Sequence, residues 1–194
     1  MIAHTKTPAI HRLRKVGVSA WIPREKVSLS AWCEKNLRLS RMWEATGGLF
    51  NLEENPFVND ILDAFLDPTV YRITIKKSTQ VGGTLSLIAA MIALSELDPA
   101  PAMVMLPDAT SATELRDRTY GNAAEGLATR HKVPPQRMWN NRHIDFGSCR
   151  VYLAWSGSAQ RMRGRACKRV FRSETDVYGQ PSKVQTHIRR PRTG

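Results

Sequence analysis

The chain has 194 residues, 42% of them apolar, which is enough for one domain with a true core and too apolar for a disordered polymer. Its formal charge of +12 and pI near 10.2 favour a polyanionic partner, DNA or RNA ahead of an anionic membrane, because no basic amphipathic helix stands out. The longest apolar run, LIAAMIAL at 87–94, falls short of the roughly 18 residues that a bilayer crossing requires. The N-terminus has no apolar signal-peptide core. Cys33, Cys149 and Cys167 have neither disulfide nor zinc spacing, so the expected location is a reducing cytoplasm.

Residues 1–27 are basic, lack periodicity and read as a flexible arm. Ser30 is a suitable N-cap for a helix running through AWCEKNLRL. ATGGLFNLEE reads as a loop. NPFVNDILDAFLD reads as a second helix, with Asn55 as cap, Pro56 in the first turn, and Phe57, Ile61, Leu62, Phe65 and Leu66 sharing a face. VYRITIK (70–76) is β-branched and aromatic and predicts a strand. LSLIAAMIALSE predicts a buried helix, PAMVMLPD a strand, and DATSATELRDRTYGNAAEGLATR a helix in which Ser111 and Glu114 match a capping box. HIDFGSCRVYLAW predicts a hairpin about Gly147, and KRVF a short strand. This alternation implies an α/β fold, a parallel sheet flanked by helices. The tail, residues 181–194, is basic and reads as disordered.

The chemistry concentrates in IKKSTQVGGTLS (75–86). A phosphate-binding loop requires converging backbone N–H groups, a helix N-terminus, and a lysine and a hydroxyl that reach the phosphates and Mg²⁺. Gly82, Gly83 and Thr84 are correctly placed between a strand and a helix. The usual lysine before the hydroxyl residue is absent, because Gly83 stands there. Lys77, at the loop's start, has the reach to replace it, since lysine acts as a point charge. An ordinary glycine turn with a solvated Lys77 is the competing reading.

KSTQVGGT (77–84) resembles the degenerate ATP-binding loop K-S-x-[QR]-x-G-x-[ST] of the large subunit of tailed-phage terminases, of the lambda-like GpA type. The segments SAWCEKNLRL…NLEENPFVNDILDAF, AMVMLPDATSA and SGSAQRMRGRACKRVFRSETDVYG resemble the family in order and spacing, over residues 28–180. The resemblance implies a P-loop NTPase-like sheet and an ATP hydrolase that packages viral DNA. It assigns phosphate contacts to Lys77, Ser78, Gln80, Val81, Gly82, Gly83 and Thr84, with Thr84 also on Mg²⁺. In RVFRSETD (169–176), Glu174 falls on the family's catalytic glutamate and Asp176 on a second acidic position common in the family, a candidate Mg²⁺ ligand in place of the metal-associated aspartate. Ser173 replaces the usual aspartate. Arg163, in an Arg-Gly pair, falls on a residue coupling nucleotide state to movement.

RMRGRACKRVFR (161–172) is a basic run that reads either as a solvated face or as contacts to DNA phosphates through Arg161, Arg165, Lys168 and Arg169. By resemblance the cofactors are ATP and Mg²⁺. The partners are double-stranded DNA, a small subunit and the portal or procapsid, with a homo-oligomer among the assemblies implied and no membrane. The location is the host cytoplasm. The family's nuclease domain has no counterpart here, so the chain is expected to be the N-terminal ATPase portion (28–180). Two other readings stay open. One is a catalytically inactive DNA-binding remnant of a degenerate prophage, and the other a helicase-like ATPase, which the absence of a DExH box disfavours.

Overall fold

The structure is a computed structural model and describes residues 27–44, 47–53, 55–78, 81–127, 139–176 and 178. The expected arm and tail lie outside these residues, apart from Val27, which packs against the core.

Helix α1 (Leu29–Asn36) is capped by Ser28, whose hydroxyl accepts from the Ala31 N–H. The expected cap, Ser30, is inside the helix. Its N–H and hydroxyl instead donate to the two carboxylate oxygens of Asp63, at 2.8 and 2.9 Å. Helix α2 (Phe57–Ala64) is thereby tied to α1. Its buried stripe is Val58 and Leu62, with Phe65 and Leu66 packed beyond its end. Phe57 is exposed, so of the expected apolar face Leu62, Phe65 and Leu66 pack against the core while Val58 takes the place of Phe57. Between the helices, β1 (Arg38–Leu39) pairs antiparallel with β2 (Gly48–Leu49); residues 38–39 were expected to end the first helix, which instead stops at Asn36, and residues 48–49 were expected to be loop. This ribbon is fastened from outside: the Ser40 N–H donates to the fully buried Asn122 at 2.8 Å. Arg118 grips Glu44 through two bonds of 2.7 Å.

VYRITIK is not a strand. Residues 71–78 form no ladder, and Tyr71 is 89% exposed, with Val70 and Ile75 also in solvent. β-branched composition favours a pleated, half-buried surface but cannot supply the partner that makes a strand.

Helix α3 (Gly83–Leu97) is apolar on every side, as a helix enclosed by the core must be; Ile88 through Ser95 are all buried. It leads into β3 (Ala102–Leu106), buried at every position. Helix α4 (Ala109–Leu127) follows. Its start is held by Asp108, whose carboxylate accepts from the Ser111 N–H at 2.9 Å and the Ser111 hydroxyl at 3.1 Å. The capping role expected of Ser111 therefore belongs to Asp108, three residues earlier. The predicted hairpin is present, with β4 (His143–Asp145) antiparallel to β5 (Arg150–Trp155) and Gly147 at φ 82° in its turn. A four-residue helix, α5 (Ala159–Met162), precedes β6 (Arg169–Arg172).

The main sheet has the order β4-β5-β3-β6, and β3 is parallel to both β5 and β6. The fold is therefore mixed α/β, with a mostly parallel sheet flanked by helices. Alternation along the strands splits the apolar side chains. Val104, Leu106, Leu153 and Phe171 join the main core with the helices. Met103, Met105 and Ala154 face the other way, against Tyr152, Met162, Cys167 and Tyr178. Among the described residues β6 is an edge strand, and its Val170 is 56% exposed.

Candidate functional site

Two poles of the molecule are fixed by α3. At its C-terminal pole Asp98 accepts from Lys168 at 2.6 Å and pairs with Arg169. The Lys168 bond, with Arg169 beside it, holds the Asp98 carboxyl below its usual value. Asp98 thus sits where β3 and β6 begin. A 15-residue helix is about 22 Å long, more than a five-residue strand at about 16 Å. The N-terminus of α3 therefore lies toward the other pole, where β3, β5 and β6 end.

That N-terminus is built from the predicted loop. Gly82 sits at φ 75° in the left-handed region, which glycine enters without strain, and no side chain caps the helix. The backbone N–H and the hydroxyl of Ser86 both bond to the Gly82 carbonyl, at 2.8 and 3.0 Å. The first N–H groups of a helix have no partner within it, so those of Gly83, Thr84 and Leu85 are available to an anion, at the positive end of the helix dipole.

Lys77 is the second component. A Cβ placed on Gly83 would overlap the Cδ and Cε of Lys77 and lie 3.2 Å from its Nζ. The lysine side chain therefore lies across the start of α3, in the space that a side chain at residue 83 would fill. The cation comes from one end of the loop and occupies the place vacated at the other. Ser78 is exposed, Val81 and Thr84 are half-buried beside the glycines, and Gln80 lies outside the described residues.

At the same pole, beyond β6, the Ser173 N–H extends the ladder by donating to the Met105 carbonyl at 3.1 Å. Glu174 follows at φ 53°. A left-handed glutamate is uncommon, and such backbone strain concentrates at functional sites. Glu174 and Asp176 are both exposed. Arg163 is exposed as well, at the end of α5, before Gly164 at φ 68°.

A cleft of about 230 Å³ opens between the β1–β2 ribbon and the first turn of α3. Leu39, Leu49, Phe50 and Leu85 supply apolar walls, while Asn51 and Asn55 supply polar edges. No motif in the sequence marked it, because its walls come from two distant segments. Among the described residues no group of His, Cys, Asp and Glu could by itself hold a metal ion.

The family model described as "Phage terminase large subunit gpA, ATPase domain" matches residues 44–188. The chain belongs to this terminase family. Neither a curated protein nor a solved structure matches it. The terminase match covers the loop, the sheet and the acidic segment after β6. No described helix is long and apolar enough to cross a membrane.

Two groups of predicted residues separate. The loop residues and the acids lie toward one pole of this terminase ATPase domain. Lys168 and Arg169 lie at the other, with charges offset by Asp98. Cys33 is buried and its thiol is pushed up to about 12, chiefly by burial, so it is an inert core residue.

Proposed function

We propose that the chain is the ATP-hydrolysing part of a phage DNA-packaging enzyme. The observation that carries this reading is the path of Lys77 across Gly83. It supports a phosphate site in which the lysine replaces the one missing beside Thr84. The available amides at residues 83–85 and the Lys77 ammonium would neutralise the phosphates. The Thr84 hydroxyl would ligate Mg²⁺, and the cleft beside Gly82 and Leu85 would receive the base. Bound Mg²⁺ would polarise the terminal phosphoryl group. Glu174 would orient the attacking water, with Asp176 near the metal and Arg163 coupling turnover to DNA movement. Ser78 and Gln80 complete the loop's contacts.

The expected result for Lys77→Ala is loss of ATP binding by titration calorimetry with folding unchanged. Wild-type affinity in that variant would remove Lys77 from the site. A second reading, DNA binding without turnover, is favoured by Ser173 at the end of β6, where the metal-associated carboxylate is replaced by a hydroxyl. Release of phosphate from Mg-ATP, with and without duplex DNA, separates the two. Stimulated release supports the motor, and silence supports the inactive form. Subunit, portal and oligomer contacts belong to the same proposal.

A further inference from the structure

The basic residues of the chain do not form one uniform surface. Lys168 and Arg169 are held by Asp98. Arg150 is paired with Asp145 at 2.8 Å, and Arg116 with Asp117 at 2.7 Å. Arg142, Arg161 and Arg165 have no acidic partner among the described residues.

Two of these three are braced on aromatic rings. The Arg161 guanidinium lies 3.9 Å from the ring centre of Trp155, and that of Arg165 lies 4.1 Å from the ring centre of Tyr152. Both rings stand on β5: Trp155 at the end where the parallel strands finish, and Tyr152 three residues earlier, opposite Met103 and on the other face of the strand. Arg161 also donates to the Asn141 carbonyl at 2.8 Å, which ties α5 to the turn bearing Arg142. The charges press on one another. Arg161 has its pKa lowered by burial and then by Arg142 and Arg165. His143 is lowered by burial and by Arg150, Arg165 and Arg142, against the opposing pull of Asp145. Cations crowded together without acids, and fixed in place, are prepared for an anion with several charges. A stacked guanidinium loses little freedom when it meets a phosphate, and its planar fork matches phosphate oxygens.

We infer that Arg142, Arg161 and Arg165, with the last two braced on Trp155 and Tyr152, form a preorganised surface for the phosphate backbone of duplex DNA. The choice of duplex DNA rests on the packaging reading above. The Arg161–Trp155 end of the surface lies where β3 and β5 finish, and its Arg165–Tyr152 end lies further back along β5. Lys168 and Arg169 are excluded from the surface.

The test uses the full chain and a fluorescent DNA duplex, with anisotropy read across a salt series. Each lost phosphate contact lowers the log–log salt slope by about 0.9. The variant R142A/R161A/R165A should lose between two and three units of slope and bind at least tenfold more weakly at low salt. K168A/R169A should stay within about twofold of wild type with its slope kept, since these charges are already paired. R161K/R165K retains charge but not stacking. It should keep the slope, bind severalfold more weakly, and remain interpretable if the alanine variant is less stable. A wild-type slope in the triple variant, or a loss confined to K168A/R169A, would overturn the surface. So would tighter binding of heparin or single-stranded RNA than of the duplex. Absence of ATP turnover with this pattern intact would remove the motor reading and leave the surface standing.

Discussion

The two sides of the proposed nucleotide site are built by opposite means. The α3–β3 side is the more enclosed: β3 is buried throughout and α3 from Ile88 to Ser95, so the helix that carries the half-buried first-turn amides is anchored in the core. The Lys77 side stands on residues 71–78, which pair with nothing and expose Tyr71 and Ile75. A rigid half provides directional donors, which must be placed correctly. The other half provides a point charge, which only has to reach.

The difference should show first in stability. Ile92→Ala, at a fully buried position of α3, should cost about 2–5 kcal/mol in urea unfolding. Ile75→Ser on the exposed segment should change stability by less than about 0.5 kcal/mol. A comparable loss at Ile75 would mean that this segment is packed after all. Gly83→Ala sharpens the contrast most. A Cβ there displaces only the far end of Lys77, and alanine favours a helix over glycine by roughly 0.5–1 kcal/mol. Melting should hold or rise while ATP affinity drops about tenfold or more; unchanged affinity would show that Lys77 acts without its seat on Gly83.

Smaller effects follow away from the site. Asp108→Ala should cost about 1 kcal/mol through loss of the α4 cap, and Ser111→Ala less, as thermal melts would show. Asp98 is held below 3.8 by Lys168 and then Arg169. Its contribution is therefore present above that pH and lost as pH falls through the lowered value. Asp98→Asn should narrow the gap in melting temperature between pH 6 and pH 3, by an amount fitting a half-exposed pair of about 1 kcal/mol or less. An unaltered gap would mean that the pair contributes nothing.

Legibility from sequence follows the same division. The buried helix, β3, α4 and the β4–β5 hairpin are visible because each carries its own apolar period and turn residues. The caps shift from Ser30 to Ser28 and from Ser111 to Asp108, because neighbouring polar residues are equally able to cap and only packing selects among them. VYRITIK misleads because propensity is local, whereas pairing depends on a neighbour. Lys77 is legible because its destination lies six residues away. The neutralisation of Lys168 and Arg169 depends on Asp98, some seventy residues distant in sequence. The bracing of Arg161 and Arg165, and the part played by Arg142, likewise appear only once the hairpin and α5 are folded together.

Glu174 sits in a left-handed turn, a conformation that glycine enters without strain. Replacing the acid by glycine would relax the backbone and remove the carboxylate in a single step. If Glu174 carries the proposed catalytic role, a library selected for heat resistance alone would accordingly enrich variants that have discarded the reaction. Breeding a hardier version of this domain needs a screen that scores turnover alongside survival.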